Sequence, residues 1–208
     1  MYEAKSAGRN CYRFFSPRLN QVAQLNASVE TDLRDALENN QFFLEYQPIV
    51  DAKTNQYSGF EALLRWQHPD RGRLMPLDFM RVANDSGLID RMGNWVIEEA
   101  CRQISEFIQN GLDVQHIAVN ISPRQFQSTS ISDDIICCIK KYGVPLGKLT
   151  VEITEELLLD QNVHVHHQLA KLQDHGIEIS IDDFGTGYSS FQYLRDLPAS
   201  CLKIDQTF

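Results

Sequence analysis

The sequence is short of basic charge. Its 208 residues carry 19 Lys and Arg against 28 Asp and Glu, a net charge of -9. A general nucleic-acid binder needs a basic face, so that class is excluded. An anionic small ligand is not excluded, because a metal or a local cluster can reverse the field in a cleft. Long apolar runs are also missing. None approaches the roughly 20 residues of a membrane helix, and Met1-Tyr2-Glu3-Ala4-Lys5 is not a secretory signal. The cysteines Cys11, Cys101, Cys137, Cys138 and Cys201 contain no C-x-x-C pair. Their odd count fits free thiols in a reducing cytoplasm. No Gly-rich phosphate loop follows the first strand candidate, which counts against an open dinucleotide-binding sheet. His164, His166 and His167 lie close together without a cysteine or a second histidine pair. A helix surface therefore explains them better than a zinc site.

What is present is an ordinary globular composition, 43% hydrophobic and 23% charged, long enough for one large domain. Apolar spacing predicts a helix from about Leu19 to Asn40, after a short strand at Cys11–Phe15. Strands are expected at Phe42–Val50, Tyr57–Trp66, His116–Ser122, Leu149–Thr154, Ile177–Asp182 and Cys201–Asp205. A long helical region with Phe79, Val82 and Trp95 to Ile108 separates the second and third. Helices at Ser132–Tyr142, Gln161–His175 and Ser190–Leu197 separate the rest. Strands alternating with helices imply a parallel sheet with helices outside, and the repeated unit favours a (β/α) barrel.

Parity within the strands carries the functional argument. Glu61 and Arg65 share one face of their strand. Asn120 lies opposite Ile117, Val119 and Ile121, Glu152 opposite Val151 and Ile153, and Asp182 opposite Ile179 and Ile181. Lys203 and Asp205 share a face. Successive strand residues point to opposite faces, so each strand sends a polar group inward near its C-terminal end, where a barrel carries its active site. Several inward carboxylates without a cation would be prohibitive. Glu61, Asn120, Glu152, Asp182 and Asp183 are hard oxygen ligands of the kind Mg²⁺, Mn²⁺ or Ca²⁺ takes. Asp183 follows Asp182 directly and points the other way in a regular strand. It reaches such a site only if the chain turns there, and Gly185 and Gly187 permit a turn. Taken alone, Asp182-Asp183 fits an exposed turn, one Asp capping the next helix, as well as it fits a metal site.

These residues resemble the signature of EAL-domain cyclic-di-GMP phosphodiesterases. The resemblance rests on Glu61-Ala62-Leu63-Leu64-Arg65-Trp66, Gln47-Pro48-Ile49, Val119-Asn120-Ile121-Ser122, Glu152-Ile153-Thr154-Glu155, the run from Asp182 to Ser190, and Lys203-Ile204-Asp205, in family order from about Glu38 onward. It implies a TIM-like (β/α)8 barrel with one antiparallel strand, of which about six of eight strands are present. It implies hydrolysis of cyclic-di-GMP to linear pGpG with two Mg²⁺ or Mn²⁺ ions, and inhibition by Ca²⁺. Glu61, Asn120, Glu152 and Asp182 match the family's metal ligands, and Asp183 matches a ligand of the second metal. Lys203 matches the lysine that holds the attacking water, and Glu155 the glutamate that braces the loop starting at Asp183. Gln47, Leu64, Arg65 and Asp205 are expected on the substrate, with Gln47 at a guanine and Arg65 at a phosphate. A homodimer in the cytoplasm is implied as well, with any membrane tether lying outside this stretch.

Residues 1–20 resemble the tail of a GGDEF domain and a linker, so 21–208 is expected to be an EAL domain incomplete at its C-terminus. The family continues past Asp205 with two more strands that carry a further glutamate and a glutamine. It also often has glutamate where Asn84 stands. A fragment lacking those strands would expose edges and is expected to be inactive and to associate. The alternative to an enzyme is an EAL module that binds cyclic-di-GMP or a protein partner without turnover. Another metal-dependent barrel hydrolase, such as a glycerophosphodiesterase, would show a different motif order.

Overall fold

The computed structural model describes residues 17–112, 114–127, 130–159, 162–185, 199–205 and 207, with the backbone alone at 17–20 and 158–159. The expected strand at Cys11–Phe15, the expected helix at Ser190–Leu197 and most of the proposed 1–20 tail lie outside the described residues.

The chain opens with α1 (Pro17–Glu38) and the antiparallel hairpin of β1 (Phe42–Val50) and β2 (Tyr57–His68). A short β3 (Gly72–Leu74) folds back on the far end of β2. Then come α2 (Pro76–Ser86), α3 (Leu88–Gln109), β4 (Ile117–Asn120), α4 (Pro123–Gln127) and α5 (Ile131–Tyr142). The last elements are β5 (Leu149–Thr154), α6 (Glu155–Leu159), α7 (Val163–Asp174), β6 (Glu178–Phe184) and β7 (Cys201–Ile204). The sheet runs β1-β2-β4-β5-β6-β7, parallel from β2 onward, with β3 beside β2. This is the expected mixed α/β, TIM-like arrangement. It carries one more antiparallel strand than anticipated, because a three-residue β3 is too short to show a period of two.

The expected long helical region is two helices. Gly87 sits between them at φ 79, a left-handed conformation that ends α2 and that only glycine adopts without strain. Pro76 starts α2 at a position where no N–H is needed. Asp78 then accepts the Met75 backbone N–H at 2.8 Å.

Two apolar clusters hold the layers together. The larger joins one sheet face, through Ile117, Val119, Val151, Ile153, Ile179 and Ile181, to α3, α5 and α7. The smaller packs α1, α2 and the start of α3 on Phe42 and Trp66. Phe42, Trp66 and Phe79 meet at centroid separations of 5.5 to 6.1 Å, in tilted and edge-on pairs. The even-numbered residues of β1 and β2 thus face the outer helices, which leaves the odd-numbered face for the polar groups.

The loop after β4 is held by a close approach of α4 to α3. A Cβ on Gly93 would lie 1.8 Å from Gln125 Nε2. Gln125 is buried, and its Oε1 accepts the Ser122 N–H at 3.0 Å. Gly93→Ala is expected to lose about 1 kcal/mol net, because overpacking outweighs the better helix propensity of alanine. Urea unfolding checks this; an unchanged midpoint would mean that Gln125 relaxes freely.

Candidate metal centre

Neighbouring parallel strands deliver the site in register. Asn120 pairs with Glu152 across β4 and β5, and Thr154 pairs with Asp182 across β5 and β6. Glu61 lies opposite Gln47 in the β1–β2 hairpin. Within β5, Val151 and Ile153 are buried in the larger apolar cluster, so Glu152 between them must face the other way.

One carboxylate oxygen each from Glu61, Glu152 and Asp182 lies within 4.8 Å of the other two. The Lys203 ammonium from β7 stands among them. Its Nζ is 2.8 Å from Glu152 Oε2, 3.0 Å from Glu61 Oε2 and 3.3 Å from Asp182 Oδ2. Glu152 is only 2% exposed. Burial pushes its carboxyl up to about 7; Lys203 opposes the shift, and the charges of Glu61 and Asp182 add to it. For Lys203, burial favours the neutral amine, but the hydrogen bonds and charges of Glu152 and Glu61 prevail and raise its pKa.

Asn120 donates from Nδ2 to Glu61 Oε1 at 2.8 Å, so the expected amide ligand stands against the first carboxylate. The chain does turn at Asp183. Its φ is 53, the β6–β7 register shifts between Ile181 and Phe184, and Gly185 has φ 100. The Asp183 N–H caps Asp182 Oδ1 at 3.0 Å, and its side chain is exposed beside the triad rather than within it. Glu155 Oε2 accepts the Gly185 N–H at 2.9 Å, from a side chain that is itself buried. Asp205 Oδ1 accepts the Thr207 N–H at 2.8 Å.

The remaining expected residues divide by parity. Gln47 and Arg65 lie on the face of Glu61, whereas the Leu64 side chain points to the opposite face and packs on both apolar clusters. The structure therefore sets Gln47 opposite Glu61, puts Arg65 on the same face further along β2, and turns the side chain of Leu64 away. Arg65 is buried, and its partner was missed in the sequence. Nε donates to Glu45 Oε2 at 2.9 Å, and Nη1 donates to the Leu64 carbonyl at 2.8 Å. Arg73 Nη2 reaches the same Glu45 oxygen. The alternation Phe43, Glu45, Gln47 opposite Arg65, Leu63, Glu61 would have revealed Glu45. His166 and His167 are exposed on α7, and His164 contacts Gln168 at 3.0 Å.

Three clustered carboxylates, one of them nearly sealed from water, are a donor set that fits a hard divalent cation. Among the described residues this is the group of acidic, histidine or cysteine side chains with that geometry. The sequence profile of the EAL domain matches residues 30–208. The chain belongs to the EAL family. It is 43% identical over 211 residues to the bifunctional diguanylate cyclase/cyclic di-GMP phosphodiesterase MucR of Pseudomonas aeruginosa, over 100% of this EAL chain and 30% of MucR. It is 41% identical over 208 residues to the signaling protein YkoW of Bacillus subtilis, over 100% of the chain and 26% of YkoW. The chain thus spans under a third of the length of these relatives. Among solved structures, the PaMucR phosphodiesterase in complex with c-di-GMP superposes with a TM-score of 0.82 at 42% identity, over 86% of this chain and 73% of that one. No helix among the described residues is long and apolar enough to cross a membrane.

Proposed function

We propose that this EAL domain hydrolyses cyclic-di-GMP to linear pGpG with Mg²⁺ or Mn²⁺ in bacterial second-messenger signalling. The observation that carries the reading is the convergence of Glu61, Glu152 and Asp182 on Lys203 at one end of the parallel strands. The names of the relatives and of the c-di-GMP complex support it. A phosphodiester is anionic, and attack on it needs the growing charge neutralised. Glu61, Asn120, Glu152 and Asp182 would hold one cation, with Asp183 serving a second. Bound there, such ions supply Lewis-acid stabilisation at the phosphoryl group. Lys203 contributes a fixed positive charge and hydrogen bonds to a water. Glu155 fixes the backbone at Gly185 and so the turn that carries Asp183. Gln47, Arg65, Asp205 and the Leu64 backbone would hold the dinucleotide, Arg65 at a phosphate. Calcium would inhibit, because its larger and looser coordination suits the geometry poorly. A cytoplasmic homodimer completes the proposal.

The test is turnover of cyclic-di-GMP by the chain in its natural full-length context, with pGpG separated and quantified. Hydrolysis with Mg²⁺ or Mn²⁺ that stops with chelator or Ca²⁺ is expected. Tight cyclic-di-GMP binding without turnover under either ion would replace the enzyme with a sensor.

A further inference from the structure

We propose that Glu45 is the positioning residue for Arg65, and that β3 reinforces it through Arg73. The inference rests on the phosphodiesterase reading, in which Arg65 meets a phosphate. An arginine side chain has several rotatable bonds, and a hold on an anion requires that its plane be fixed. Here two of its three nitrogens are already engaged. Nε is held by Glu45 and Nη1 by the Leu64 carbonyl of its own strand. Nη2 has no protein partner among the described residues, which leaves that side of the guanidinium for a ligand. Glu45 is itself held, because Arg73 of β3 donates to the same oxygen. Glu45 and Arg65 come from adjacent strands on the face that carries Gln47 and Glu61. The brace therefore continues the polar face of the hairpin from the metal centre outward.

Charge and geometry predict opposite effects. Two guanidiniums around one carboxylate leave one net positive charge, on a chain of net -9. If Glu45 served only as a counter-charge, removing it would strengthen the attraction for a phosphodiester and lower KM. If it aims Arg65, removing it frees the guanidinium and raises KM.

Glu45→Ala is expected to raise KM for cyclic-di-GMP about tenfold with kcat within about twofold, since a misaimed contact weakens binding while the carboxylates and Lys203 stay in place. Glu45→Gln keeps an acceptor and should raise KM less. In an Arg65→Ala background, Glu45→Ala should add nothing, because the residue acts only through Arg65. KM unchanged or lowered in Glu45→Ala, or the same rise with and without Arg65, would overturn the proposal. Should Glu45→Ala fail to fold, Arg73→Ala cuts only the outer half of the brace. A smaller KM rise that also vanishes without Arg65 is then expected, and no rise would overturn it. Wild-type protein that neither binds nor hydrolyses cyclic-di-GMP would instead defeat the functional reading. If it binds without turnover, Kd takes the place of KM in every comparison.

Discussion

Glu152→Gln is expected to lower cyclic-di-GMP turnover by more than about 100-fold, beyond the loss seen when a group merely supporting a metal ligand is removed. The substitution keeps the size of the side chain and one acceptor oxygen, so packing in β5 is preserved while the charge is lost. Glu152 is the most enclosed of the three carboxylates and makes the shortest contact with Lys203. It also lies between strands, paired with Asn120 on one side and Ser180 on the other, so no neighbour can shift to replace it. Affinity for Mn²⁺, read by calorimetry without substrate, should fall with the rate. Glu156→Gln is the control: Glu156 is exposed on α6 and should change neither. Turnover and Mn²⁺ affinity within about threefold of wild type in Glu152→Gln would remove the carboxylate triad from the mechanism.

That site was largely legible in the sequence because it is written in a period of two. Val151 and Ile153 on either side of Glu152, and the alternation Ile179, Ile181 leading up to Asp182, send each carboxylate to one face, whatever the rest of the chain does. The turn at Asp183 was legible for a different reason: a second inward carboxylate directly after the first is impossible in a regular strand. The observed φ of 53 is such a turn, and it leaves the Asp183 side chain exposed beside the triad. Leu64 shows the limit of motif reasoning. It sits inside the signature run Glu61–Trp66, yet strand parity sends its side chain into the apolar clusters. Alternation alone places Glu45 on the face of Gln47, but its link to Arg73 runs through a three-residue strand that leaves no periodic trace. The division of the long helical region at Gly87 was equally local, one left-handed residue in an otherwise continuous amphipathic pattern.

Lys203→Met is expected to have two separable effects. In metal-free protein it should cost about 3 kcal/mol of stability, the lower end of what removing one partner of a buried ion pair costs. The lower end applies because water still screens the group: the Lys203, Asp182 and Glu61 side chains are 29%, 24% and 18% exposed. The cost arises because three carboxylates then face one another with no cation between them, Glu152 sealed among them. Addition of Mg²⁺ or Mn²⁺ should narrow the gap to wild type in urea unfolding. A divalent ion restores the missing positive charge and meets no competing ammonium in the variant, so it stabilises the variant more. Turnover should not recover. It should stay about 100-fold or more below wild type with the ions present, because the ion does not replace a hydrogen-bond donor aimed at the reacting water. A stability gap that metal leaves unchanged would make the loss one of packing rather than charge. Recovery of turnover together with stability would reduce Lys203 to a counter-ion for the carboxylates and leave donation to the water to another group.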